Sequence, residues 1–144
     1  MSSIKLLEIK ANKTDFERVK ISNSKQLSEY IRQFYSSDIN VFESSFILLM
    51  NRANFTIGYA KISQGGITGT VVDVRIVCKY AIDSLATNVV LCHNHPSGSL
   101  SPSVQDIELT KKVKAALKIM DIDLLDHIIL TEDSYYSFTD NGTI

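Results

Sequence analysis

Cysteine is scarce in this chain. Cys78 and Cys92 are the two in 144 residues, too few for a disulfide framework. No apolar run approaches the roughly 20 residues that a membrane span requires. The first residues, MSSIKLLEIKANK, lack the apolar core of a signal peptide, so the expectation is a cytoplasmic protein with no membrane partner. Charge of one sign is missing too. The net charge is −1 and there is no basic run, so no global field draws the chain onto DNA. That argues against a dedicated nucleic-acid binder and leaves room only for a local patch. Repeats and low-complexity segments are also absent. What remains is ordinary: 44% apolar and 22% charged residues, enough for one domain with a sizeable core.

The informative stretch is residues 91–106, LCHNHPSGSLSPSVQD. It holds two of the three histidines, His93 and His95, one residue apart, followed by Ser103 and Asp106. Imidazole nitrogen and carboxylate oxygen are good ligands for first-row metals, zinc above all. Two histidines and one aspartate make three protein ligands. That leaves a fourth tetrahedral position for water, as in catalytic rather than structural zinc sites. The apolar run NVVLC, residues 88–92, reads as a buried strand ending in a turn at Pro96 and Gly98. The histidines therefore stand at a strand's C-terminal end, where open α/β sheets place ligands. Ser101-Pro102 reads as the cap and first residue of a helix running to about Met120. At about 100° per residue, Asp106 falls on the stripe of Leu109, Val113, Ala116, Leu117 and Met120. An aspartate facing a core must be paired, coordinated or protonated.

Simpler readings stand beside these. Ser103-x-x-Asp106 is also a capping-box pattern that needs no chemistry. A single buried histidine is most often a hydrogen-bonded core residue. Cys92 reads as a buried thiol pointing to the face opposite His93, with metal ligation as the alternative. For His127, a bracing role behind a metal ligand and a satisfied core position are both open.

Elsewhere the pattern predicts a helix over residues 22–35, capped at Ser22 or Ser24, with Leu27, Tyr30, Ile31 and Phe34 on one face. Short strands are expected at 4–9 and 19–21. Residues 43–51 and 56–63 read as an antiparallel hairpin turning at 51–54. Glycines at 65, 66 and 69 break the chain, and 71–72 extend into a short strand. Asp73 caps a helix to about Leu85, with Ile76, Val77, Tyr80, Ala81 and Leu85 on its apolar side. Strands follow at 126–131 and 135–138. The sum is a three-layer α/β domain with a mixed sheet flanked by helices.

His93-x-His95, seven residues, Ser103, two residues and Asp106 together resemble the signature of the JAB/MPN (JAMM) metalloprotease superfamily. The string HNHPSG, with GGITGTVVDVR before it and LLDHIILTED and YYSF after it, resembles the RadC family in particular. The likeness spans residues 42–142, about two thirds of the chain. It implies a fold similar to the cytidine deaminases, although the deaminase motifs H-x-E and C-x-x-C are missing at the site. It divides the chain into an N-terminal extension with a helix, residues 1–38, and a RadC-like domain, residues 39–144. It implies Zn2+ held by His93, His95 and Asp106, and a peptide or protein substrate. Spacing alone cannot choose a general base among Glu29, Asp38, Glu43, Asp73, Asp83 and Glu108; the resemblance selects Glu43, at the start of the first hairpin strand. It also implies that Ser103 donates a hydrogen bond to a developing oxyanion or to the metal's water. Two departures stand out. Ser45 occupies the position two after Glu43 where the family has phenylalanine, displacing Phe46 by one, and Asp73-Val74-Arg75 replaces Asp-Pro-Arg.

The expected function is a zinc hydrolase of peptide or isopeptide bonds. Two alternatives are a DNA-repair-associated role, after the family's historical label, and a metal-binding module with little catalysis. Asn94 is expected to brace the loop, and Gly98 to supply a turn conformation. Substrate and oligomeric state are not legible.

Overall fold

The computed structural model describes residues 2–8, 10–65 and 71–144. Its elements are helix α1 (Ser24–Ile31), strands β1 (Ser44–Met50) and β2 (Thr56–Gln64), helix α2 (Val74–Asp83), strand β3 (Asn88–Asn94), helix α3 (Val104–Ile119), and strands β4 (Asp123–Leu130) and β5 (Tyr135–Ser137). The strands form one sheet in the order β2-β1-β3-β4-β5. Only β3 and β4 run parallel, with α3 as their crossover, so the sheet is mixed as expected.

Alternation along the strands builds two cores. Ile47, Leu49, Val89 and Leu91 face Val77 and Ala81 of α2 and Val113 and Leu117 of α3. Phe46, Leu48, Val90, Cys92 and Ile128 face the other way, toward Leu27 and Ile31 of α1. Every residue of β1 and of β3 is buried, as central strands covered on both faces must be. The expected three-layer α/β architecture is the observed one.

Several boundaries differ from the sequence reading. Helix α1 is capped by Asn23, whose side chain accepts from the Gln26 backbone N–H at 2.8 Å, and not by either flanking serine. It tightens into a 3₁₀ turn at Arg32–Phe34 instead of continuing to residue 35. Helix α3 begins two residues later than expected. Ser103 is its cap, because Ser103 and Asp106 close a full capping box that Ser101-Pro102 cannot offer. Residues 4–8 form no strand, 19–21 contribute a single bridge from Lys20 to Phe55, and residues 71–72 are irregular. Leu85 lies beyond α2 in a left-handed conformation (φ 59°) and is exposed, so it does not join that helix's apolar side. Asp73 does cap α2. Gly98 has φ 84° and turns the chain after the histidines. Of the glycine break, residues 66–70 lie outside the described residues.

Topology decides what meets at the end of β3. Strand β1 is antiparallel to β3, with Ser45 opposite His93, so the start of β1 lies beside the end of β3. Strand β4 is parallel to β3 and sets His127 opposite Leu91, on the face covered by α3. Between the two site histidines, Asn94 points away and is fully buried. Its amide nitrogen donates to the carbonyls of Ile39 (2.6 Å) and Phe42 (2.8 Å), and its oxygen accepts from the Ser44 N–H (2.8 Å). The brace expected of Asn94 therefore acts on the segment that carries Glu43.

Replacing Asn94 with alanine orphans three backbone groups, the buried Ser44 N–H and the part-buried carbonyls of Ile39 and Phe42. Each such group costs about 1–3 kcal/mol, partly recovered by water. The expected result for Asn94→Ala is a loss of about 2–4 kcal/mol in urea unfolding, against well under 1 kcal/mol for a substitution at exposed Gln105.

Candidate metal centre

Four side chains converge at the junction of β1, β3 and α3. His93 Nε2 and His95 Nε2 are 2.9 Å apart. Asp106 places one carboxylate oxygen 3.4 Å from His93 Nε2 and the other 3.3 Å from His95 Nε2. Glu43 Oε1 lies 3.9 Å from His95 Nε2. One ligand atom each from Glu43, His93 and His95 falls within a 4.8 Å span. His93 is buried, while His95, Asp106 and Glu43 are half-buried at the rim. A cavity of about 20 Å³ lies beside them, with Glu43, Ser45, His93, Asp106, Leu109 and His127 among its walls and His95 outside them. That is room for a water or a bare ion and too little for a substrate side chain.

Hydrogen-bond directions follow from groups that can act in only one sense. The Asp106 carbonyl can only accept, so Thr110, 2.6 Å away, donates its hydroxyl proton to it. Thr110 Oγ1 must then accept from His127 Nδ1 at 2.6 Å. His127 Nε2 is left as an acceptor, and takes the proton of His93 Nδ1 at 2.7 Å. His93 Nε2 therefore carries a lone pair. The same reasoning applies to His95, whose Nδ1 donates to the Ser99 carbonyl at 2.8 Å. Two imidazole lone pairs thus face each other at 2.9 Å beside a carboxylate. Such an arrangement is repulsive unless a proton or a metal cation lies between them.

The donor set fits zinc. Bonds of about 2.0–2.1 Å in a tetrahedron set ligand–ligand separations of about 3.3 Å. The two Asp106 distances, to different carboxylate oxygens, are close to that edge, and the 2.9 Å between the histidine nitrogens is shorter than it. Glu43, at 3.9 Å, stands slightly farther back, where a group acting through one water belongs.

Local structure explains each placement. His93 is still within β3, so Cys92 turns to the α1 face, where burial pushes its thiol up to about 12. That makes it an inert thiol and not a ligand. Ser45 shares the His93 side of the sheet, two residues before Ile47, and displaced Phe46 packs on the α1 side against Tyr35. The change from the family pattern therefore puts the aromatic ring in the opposite core and leaves Glu43 on the site's side.

Ser103 is exposed. Its hydroxyl oxygen accepts from the Asp106 N–H at 3.0 Å, and its own N–H donates to Asp106 Oδ2 at 2.9 Å. The capping reading of this pair is thus realised together with the approach of Asp106 to the histidines. His127 is buried in the middle of β4 and not at its start, stacked on Phe138. Burial holds its pKa well below the ordinary histidine value, with the His93 ring adding to that effect. Thr110 escaped the sequence reading. Its signal was a polar residue four after Asp106 on the buried stripe.

Charge follows the same geometry. The hydrogen bond to Asp106 raises the pKa of His95 above the ordinary value, partly opposed by its burial. Burial works against charge on Asp106, but the hydrogen bonds that His93 and His95 donate once protonated outweigh it and hold the carboxyl well below the usual range. A histidine raised in the folded state adds stability that is complete below its unfolded pKa and is lost as pH rises through its folded one. A lowered carboxyl adds stability above its unfolded pKa and loses it as pH falls. His127 works the other way below the ordinary His value, where the unfolded chain takes up a proton that the buried ring refuses, so metal-free protein is expected to be most stable in a window at about pH 6.5. Denaturation midpoints measured across pH should fall on both sides of that window. Zinc should flatten the alkaline side, because it replaces the proton that His95 gives up.

A family model described as RadC-like JAB domain matches residues 21–143. Among curated relatives, a UPF0758 protein of Flavobacterium johnsoniae is 51% identical over 100 residues, covering 69% of this chain and 44% of the relative. A UPF0758 protein of Porphyromonas gingivalis is 40% identical over 103 residues, 71% of this chain and 45% of its own length. One from Neisseria meningitidis is 35% identical over 126 residues, 88% of this chain and 55% of the relative. The chain thus spans about half the length of the curated relatives it matches.

Proposed function

The chain belongs to the RadC-like JAB-domain family, and on that premise we propose that it is a zinc-dependent hydrolase acting on a peptide or isopeptide bond. One observation supports this reading: the His93 and His95 Nε2 atoms and the Asp106 carboxylate lie within 3.4 Å of one another, with the Glu43 carboxylate 3.9 Å from His95.

When bound, zinc supplies Lewis acidity, polarising a carbonyl and lowering the pKa of a water to near ~7. This chain's residues supply the remainder. His93, His95 and Asp106 hold the ion. Glu43 takes the proton of the attacking water and returns it to the leaving amine. The Ser103 oxygen is occupied as an acceptor by the Asp106 N–H, yet its hydroxyl proton is free. That proton donates to the substrate oxygen as negative charge develops there, a contribution of order 3 kcal/mol in comparable sites. Capping and catalysis use different parts of one hydroxyl, so the first does not exclude the second. Among the described residues no helix is long and apolar enough to cross a membrane. A cytoplasmic setting suits the two free thiols, Cys78 and Cys92.

Glu43 is the informative position, because it can be read as a base or as a fourth ligand. Glu43→Gln is expected to bind one zinc per chain, like the wild type, while turnover of a peptide or isopeptide library falls by about 10²–10⁴. Asp106→Ala should lose the zinc itself. Loss of zinc from Glu43→Gln would make Glu43 a ligand. Wild-type protein that binds zinc but turns nothing over would leave a metal-binding module, and wild type without zinc would end the proposal. These measurements need metal analysis of protein purified without chelator, followed by the library assay.

A further inference from the structure

The hydrogen-bonded chain behind His93 can be drawn in two directions. In one, protons run from His93 to His127 to Thr110 to the Asp106 carbonyl, and His93 Nε2 is a lone pair. In the other, Thr110 turns its proton to His127 Nδ1, His127 Nε2 donates to His93 Nδ1, and His93 Nε2 carries the proton. Only the first direction lets His93 ligate a metal. We propose that Thr110, a fully buried residue whose side chain bonds His127 and not His93, His95 or the Asp106 carboxylate, selects the ligating tautomer of His93 by fixing His127.

The geometry makes the selection one-sided. Thr110 Oγ1 sits 2.6 Å from both the Asp106 carbonyl and His127 Nδ1. Turning the hydroxyl proton toward His127 would leave two oxygens 2.6 Å apart with no proton between them. The carbonyl belongs to Asp106 itself. One residue therefore gives its carboxylate to the front of the site and its main-chain oxygen to the rear, through Thr110, His127 and His93. His127 has no room to escape by rotating, since it is buried and stacked on Phe138 with centroids 4.5 Å apart. Thr110 is a positioning residue in this scheme, as is His127. The inference rests on reading His93, His95 and Asp106 as a metal site, and goes beyond it by naming what sets the ligand's protonation pattern.

The test uses Thr110→Val, which keeps shape and removes the hydroxyl, and Thr110→Ser, which restores it. Two readouts are needed. Zinc affinity by chelator competition is expected to fall about 10–100-fold in Thr110→Val, the range for lost partners of metal-bound histidines, and to stay near wild type in Thr110→Ser. Long-range 1H–15N NMR of metal-free protein should show His127 protonated on Nδ1 in wild type and Thr110→Ser, and on Nε2 in Thr110→Val. Unchanged affinity and an unchanged His127 tautomer in Thr110→Val would overturn the proposal. Wild type that takes up no zinc would end the metal reading alone, and the His127 tautomer would still decide this one. Should Thr110→Val fail to fold, His127→Gln and His127→Leu make the same comparison. Glutamine can accept from His93 and donate to Thr110, so it should retain affinity where leucine loses it; equal affinities would overturn the proposal.

Discussion

The structure turns on two lone pairs that point at each other. His93 Nε2 and His95 Nε2 face across 2.9 Å because each ring's other nitrogen is committed to an acceptor, His127 for one and the Ser99 carbonyl for the other. With both rings neutral and in these tautomers, nothing relieves that repulsion. The surrounding chain behaves as if built to hold it. Strand β3 delivers His93, a glycine turn returns the loop so that Ser99 meets His95, and the first turn of α3 brings Asp106 between them. A cation resolves the conflict, which is why a cluster of few side chains carries so much of the functional reading.

The sheet supplies what the local motif cannot. Glu43 is fifty residues before His93 in the chain, and reaches it because β1 and β3 pair antiparallel with Ser45 opposite His93. His127 arrives by the parallel pairing of β4. Asn94 then ties the two strands' ends together through backbone groups on either side of Glu43. Its position between the two histidines gives one short segment two opposed faces. One face bears the polar cluster, and the other locks the strand beside it.

Much of this was legible in the residues. The NVVLC run, the glycine turn and the inward Asp106 located the cluster, and two apolar, aromatic-rich runs either side of the turn at 51–54 located the hairpin. The failures have physical causes. Asn23 was passed over as a cap, and the Ser103 capping box stood beside Ser101 as a rival start, because good cap residues cluster at both places and only the closed hydrogen bonds choose. The shift of Phe46 left the orientation of Glu43 unsettled, since a strand's facing depends on pairing with a distant partner. His127 and Thr110 come together only when β4 and α3 are both in place, and nothing in their separate contexts announces it.

The capping box at the start of α3 has a further meaning. Asp106 Oδ2 is held by the Ser103 N–H, so the cap of the helix itself fixes the rotamer of this carboxylate. A ligand already frozen gives up little conformational entropy when it binds. The pocket is thus preorganised. Coordination by Asp106 then calls for no refolding of the first turn of α3.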